Sequence, residues 1–170
     1  MPKGMVHAKV KVIDKKERQQ RLEHVLKLAH NSFVEVGITE PNDAYPGSEV
    51  TVGQVAAWME FGTHSKAGLE MVPSRSFLRT PVDAGLDSIN KVKNQQIEKL
   101  IQGEISIETA LGAIGARVQI LMQNAITRGI APRLADSTLR RKRALGQPDT
   151  PLIATRFLYD HIGFGVHLNT

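Results

Sequence analysis

Residues 5–13 alternate, with Val6, Ala8, Val10 and Val12 on one side and His7, Lys9 and Lys11 on the other, the period-two pattern of a half-buried strand. From Asp14, a plausible N-cap, the period changes: Leu22, Val25, Leu26 and Ala29 fall at helical spacing, and FVEVGI at 33–38 then reads as a second strand. PNDAYPGS at 41–48 is dense in turn formers and predicts an exposed loop. A helix follows with well-marked ends. Thr51 and Gln54 stand at capping-box spacing, Val50 and Val55 occupy the positions of a hydrophobic staple, and Gly62 is placed to stop it. Its apolar stripe is Val52, Val55, Ala56 and Met59, which puts Glu60 and Phe61 on the last turn.

Beyond a polar stretch at 62–74, Thr80 can cap a helix with Pro81 at its first position, running to about Gln102 before Gly103. The next helix starts near Ser106. Ile107, Leu111, Ile114, Val118, Leu121 and Ala125 recur at alternating steps of four and three, a continuous seam suited to packing across a sheet. Gly112 and Gly115 in the same helix argue against a coiled coil. A short helix is expected from Ser137 to about Leu145, then one helical turn and a strand at Phe164–Leu168.

Helices and strands are segregated rather than alternating. This predicts one α+β domain over residues 1–170, with a small, mostly antiparallel sheet packed against one long helix plus shorter helices. Exposed loops are expected at about 39–50, 62–74 and 129–150.

The chain has no cysteine, which removes disulfide scaffolds, thiolate zinc sites and thiol catalysis. No apolar run approaches the roughly 20 residues needed to span a bilayer, and MPKGMVHAKVKV lacks the apolar centre of a signal peptide, so a soluble protein made in cytoplasm is expected. The net charge of +5 is unevenly spread. From Lys27 to Lys66 there is no intervening lysine or arginine, while Glu35, Glu40, Asp43, Glu49 and Glu60 fall in the gap. From Arg128 to Arg143 the balance reverses: Arg133, Arg140, Arg141, Lys142 and Arg143 form a basic patch opposed only by Asp136. Such a pair of regions suits contact with nucleic acid or with copies of the same chain.

No residues assemble into catalytic, cofactor-binding or metal-binding signatures. GSEVTVGQV at 47–55 has Gln54 where a phosphate loop requires lysine, and no G-x-S-x-G elbow or H-E-x-x-H pair occurs. Glu60 and His64 are four apart, but Gly62 between them ends the helix, so a surface carboxylate and a loop histidine are the expected roles. LRRKRA at 139–144 is the strongest nucleic-acid candidate, although no aromatic side chains are interleaved with it for base stacking.

Four separated stretches resemble one family, the tail-completion and head-to-tail joining proteins of tailed bacteriophages, which include virion morphogenesis, tail-terminator and minor tail proteins. FVEVGI is one. VAAWMEFGT is similar to the family's helix ending in Glu-Phe-Gly-Thr, and VPSRSFLR to its Pro-x-Arg-Pro-Phe-Leu-Arg. STLRRKRALGQPDTPLIATRFL is similar to its Ser-Thr-Leu, Lys and Pro-Leu-Ile-Asp-Thr-Gly-x-Leu ending. The stretches fall in the family's order across residues 33–166; Ser76 stands in place of a proline, Ala154 of an aspartate and Arg156 of a glycine.

The resemblance implies a non-catalytic α+β subunit that forms a ring of copies of itself, a hexamer by family pattern. Its partners would be the tail-tube protein, neck or connector proteins, and its location the virion tail or neck, after assembly in the host cytoplasm. A closed ring needs a heterologous interface, for which the acidic and basic regions would serve. Interface candidates are Glu60, Phe61, Gly62, Thr63, Arg75, Phe77, Leu78 and Arg79, with the 62–74 loop expected to be flexible until a neighbour orders it. Phe77 and Leu78 also fit the entry of the next element into the chain's own core. The reading from a different class is a basic DNA-binding module acting through residues 139–144.

Overall fold

The computed structural model describes residues 15–169; the strand expected at 5–13 and the cap at Asp14 lie outside them. The chain forms α1 (Lys15–Ala29), β1 (Phe33–Ile38), α2 (Val52–Phe61), β2 (Thr63–His64), β3 (Glu70–Val72), α3 (Arg79–Ala84), α4 (Leu86–Gln102), α5 (Ile107–Arg128), α6 (Asp136–Ala144), α7 (Phe157–Asp160) and β4 (Ile162–His167). The α+β class is as the sequence predicts.

Strands β1 and β4 pair antiparallel, with Phe33 opposite His167 and Ile38 opposite Ile162. Strand side chains alternate between faces. One face therefore carries Val34, Val36 and Ile38 with Val166, Phe164 and Ile162, and α5 lies across it. The approach is close: a Cβ on Gly115 would meet Phe164 Cδ2 at 2.7 Å and Val34 Cγ2 at 2.8 Å, so glycine is what lets this helix sit on this sheet. The other face carries Phe33, Glu35 and Gly37 opposite His167, Gly165 and Gly163. On it Phe33 stacks on His167 with ring centroids 4.6 Å apart.

The core is built from Val52 and Ala56 of α2, Phe77, Met122 and Ile126 of α5, Leu158 of α7 and Ile162 of β4. Helix α4 packs along α5, and α1 along α4, where Arg21 Nη1 donates to the Gln102 carbonyl at 2.6 Å near the C-terminus of α4. The α2 capping box forms as expected, Gln54 N to Thr51 Oγ1 at 3.2 Å and Thr51 N to Gln54 Oε1 at 3.0 Å. The 41–48 loop is exposed, and it folds back on α2 through Val52 N to Asp43 O at 2.8 Å and Gly53 N to Pro41 O at 2.9 Å.

Several expectations are corrected. The α5 seam is half-buried throughout; the buried residues are Ala110, Gly115, Met122 and Ile126, because the sheet and α4 grip the helix from different sides. The helix expected from Thr80 to Gln102 is broken at Gly85, a poor helix former, and Thr80 does not cap it. In α1, Val25 and Ala29 are half-buried while Leu22 and Leu26 face solvent. The last strand spans Ile162–His167 rather than Phe164–Leu168.

The 62–74 loop is folded within the chain as a hairpin of β2 and β3. Ser65 and Gly68 close its turn: Gly68 N donates to Ser65 O at 2.9 Å, Ser65 N to Leu69 O at 2.8 Å and Leu69 N to Ser65 Oγ at 3.1 Å.

Candidate functional site

Helix α3 begins at Arg79, and its N-cap residue, Leu78, has no side chain able to cap it. The opening N–H groups of a helix need acceptors and favour negative charge. Here a carboxylate from another element supplies them. Glu60 Oε2 accepts from Leu78 N at 2.9 Å, Glu60 Oε1 accepts from Arg79 N at 3.1 Å and Ser76 Oγ at 2.6 Å, and Ser76 Oγ in turn accepts from Thr80 N at 3.2 Å. Two further bonds close the unit: Ser74 Oγ donates to the Glu60 carbonyl at 2.7 Å and Arg75 N to the Met59 carbonyl at 2.6 Å. Glu60 is buried, which corrects its expected surface position; its partners lie 16 to 19 residues downstream, out of reach of helix periodicity. Ser76, where the resembled motif has proline, uses its hydroxyl in this relay.

Gly62 turns the chain out of α2 at φ +73, and an added Cβ would lie 2.9 Å from both Ser74 N and Val72 O. Glycine is required there on both counts. Thr63 pairs with Val72 in the hairpin. Phe77 is fully buried in the core and Leu78 packs against it, so both serve the single chain.

The arginines flanking Phe77 point to different fates. Arg75 is buried and donates Nε to Pro132 O at 2.8 Å and Nη2 to Arg133 O at 3.2 Å, bolting the hairpin exit to the basic segment. Burial lowers its pKa from the ordinary arginine value, opposed by the nearby Glu70 charge. Arg79 is exposed and pairs at 3.6 Å with Asp83.

The basic run divides in the same way. Lys142 is buried, its Nζ donating to Thr150 O at 2.7 Å and Ile153 O at 2.6 Å, and burial lowers its pKa. Arg143 holds Asp149 through Nε at 3.0 Å and Nη2 at 2.5 Å, and Arg133 pairs with Asp136. Arg140 and Arg141 are exposed. Near the chain's last elements, Arg156 takes φ +64 in place of the glycine of the resembled motif, and its guanidinium lies 4.6 Å from the Tyr159 ring centroid.

Among the side chains that reach the surface around this unit are three large apolar ones, beside the exposed His64, Lys66 and Glu70. Phe61 is 76% exposed, Leu69 69% and Met71 68%, all within one short stretch formed by the end of α2 and the hairpin. A cleft between β3 and α6, lined by Met59, Met71 and Leu158 with Arg133 and Arg141, runs beside it. Leu69 and Met71 join the candidate site only through the hairpin, whose signal in the sequence is Ser65 and Gly68 at its turn. Among the described residues no helix is long and apolar enough to cross a membrane. Comparisons with protein-family models, with curated proteins and with solved structures return no match.

Proposed function

We propose that the chain is a structural subunit that assembles with copies of itself into a ring. On the resemblance of its four motifs, that ring completes a bacteriophage tail tube or joins the tail to the neck of the capsid. The observation that carries the reading is the exposure of Phe61, Leu69 and Met71 on a backbone braced from within by Glu60 and Arg75. Burying each such side chain is worth about 1.5–3 kcal/mol, a gain the lone subunit forgoes and a neighbour can realise. Exposed Glu35, Glu40, Asp43 and Glu49 on one stretch, and Arg140 and Arg141 on another, provide the opposite charges for a heterologous contact.

Light scattering on the purified protein, and electron microscopy of it alone and mixed with tail tubes, test the proposal. Rings, or particles bound at tube ends or necks, are expected; a protein that stays monomeric and never localises there overturns it. The alternative of duplex DNA binding through residues 139–144 draws on a run in which Lys142 and Arg143 are already engaged within the chain. Binding that weakens steeply across a salt series would favour that alternative.

A further inference from the structure

Three ligand-bearing side chains converge where the loop after β1 meets the start of β4. His161 Nε2 lies 3.2 Å from Asp43 Oδ2 and 3.9 Å from Glu40 Oε2, and one donor atom from each of the three residues lies within 4.8 Å of the others. The opposite ring nitrogen, Nδ1, is 2.7 Å from the Phe157 carbonyl oxygen. A carbonyl can only accept, so Nδ1 carries a proton. In the neutral ring Nε2 then presents a lone pair to two carboxylates. Electron-rich atoms set face to face this way need a cation between them, whether a proton on Nε2 or a metal ion.

We propose that Glu40, Asp43 and His161 form a binding site for a single divalent transition-metal cation of the zinc type, with its remaining positions open to water. Ligand atoms on a tetrahedral zinc ion, at bonds of about 2.0–2.1 Å, stand about 3.4 Å apart. The observed 3.2 and 3.9 Å bracket that value, and rotation of the exposed Glu40 side chain closes the wider gap. One imidazole with two carboxylates selects zinc or manganese over magnesium and calcium, which prefer oxygen alone. An imidazole whose far N–H is held by a backbone carbonyl is the arrangement that fixes a metal-binding tautomer. Two carboxylates also balance the charge of the ion.

The site is held in shape before any ion arrives. Asp43 N donates to Glu40 O at 3.2 Å, and the Asp43 and Pro41 carbonyls accept from Val52 N and Gly53 N at the start of α2. The imidazole is fixed from the other side by the Phe157 ring, with centroids 4.3 Å apart. Its side chain is 12% exposed, whereas Glu40 and Asp43 open to solvent, giving the ion its entry. A bound ion would tie the 39–45 loop to the residue that joins α7 to β4. The site shares Glu40 and Asp43 with the acidic stretch of the assembly reading, but its geometry does not rest on that reading.

The test uses the full chain stripped with a chelator and titrated by calorimetry with zinc, manganese and magnesium chlorides, with thermal unfolding followed in parallel. One zinc per chain and a raised Tm are expected, with neither for magnesium. The Glu40→Gln/Asp43→Asn double variant, altered only at exposed side chains, and His161→Gln should each bind zinc at least about tenfold more weakly, with unchanged far-UV circular dichroism. Cobalt substitution gives a second readout that His161→Gln must change if the imidazole is a ligand. No saturable zinc binding by the native chain, or binding equally tight in the double variant, overturns the proposal.

Discussion

The Glu60 carboxylate caps a helix to which it does not belong, accepting the Arg79 backbone N–H at 3.1 Å across 19 residues of chain. Replacing the carboxylate by a carboxamide turns one acceptor into a donor facing N–H groups. Glu60→Gln should therefore cost about 1.5–3 kcal/mol, the range for a hydrogen bond to a charged group, and Ser76→Ala about 1 kcal/mol. Urea unfolding measures both, and a loss below about 0.5 kcal/mol for Glu60→Gln would show that the cap is dispensable.

Arg75 and Arg79 separate fold from surface. Arg75→Glu removes the donors to the Pro132 and Arg133 carbonyls and buries a carboxylate, which should abolish or severely weaken folding, by about 3 kcal/mol or more. Arg79→Glu, on an exposed pair, should change stability by no more than about 0.5 kcal/mol. Circular dichroism with thermal melts distinguishes them; equal effects would contradict the structure.

Lys142 and its neighbours divide likewise. Lys142→Met strands the Thr150 and Ile153 carbonyls and should cost about 1–3 kcal/mol, while Arg140→Gln/Arg141→Gln should leave the melting temperature nearly unchanged.

Phe61→Ser/Leu69→Ser/Met71→Ser should leave the monomer folded, since all three side chains are exposed, and on the proposed self-assembly should shift the protein to monomer in light scattering. Assembly of this variant equal to that of the native chain would place the proposed interface elsewhere.

The Arg143 hydrogen bonds hold the Asp149 carboxyl below its ordinary value of 3.8. Because the folded pKa is depressed, the pair's contribution is complete above that ordinary value and is lost as pH falls through the lower folded one. The Tm difference between the native chain and Asp149→Asn should be constant near neutrality, close at low pH, and shrink in high salt. A difference that grows on acidification would reverse the sign.

The capped helix α2, strand β1 and helix α6 are legible because their signals are local: Thr51 with Gln54, the FVEVGI run, and the segment from Ser137 to about Leu145. Glu60, Arg75 and Lys142 are not. A charged residue on a helix's last turn or in a basic run has the sequence appearance of a solvated one, and what buries each is a partner 8 to 58 residues away. Two of those partner sets are backbone carbonyls, which leave no trace in side-chain identity. Phe77 was legible as apolar, but whether it faced inward or a neighbour depended on the hairpin before it. The exposed pair Leu69 and Met71 followed from the same missed turn.

Strand β1 ends near residue 38, and its partner β4 runs to residue 167. A ribosome therefore releases Phe33 to Ile38 long before the segment that completes their ladder exists. Helices close locally and early, whereas pairing across such a separation carries a large loop-closure cost and comes late. During that interval Val34, Val36 and Ile38 lack their β4 partners Val166, Phe164 and Ile162, and an unpaired edge is where nascent chains aggregate or recruit chaperones. Closure of the β1–β4 ladder thus waits on translation of β4.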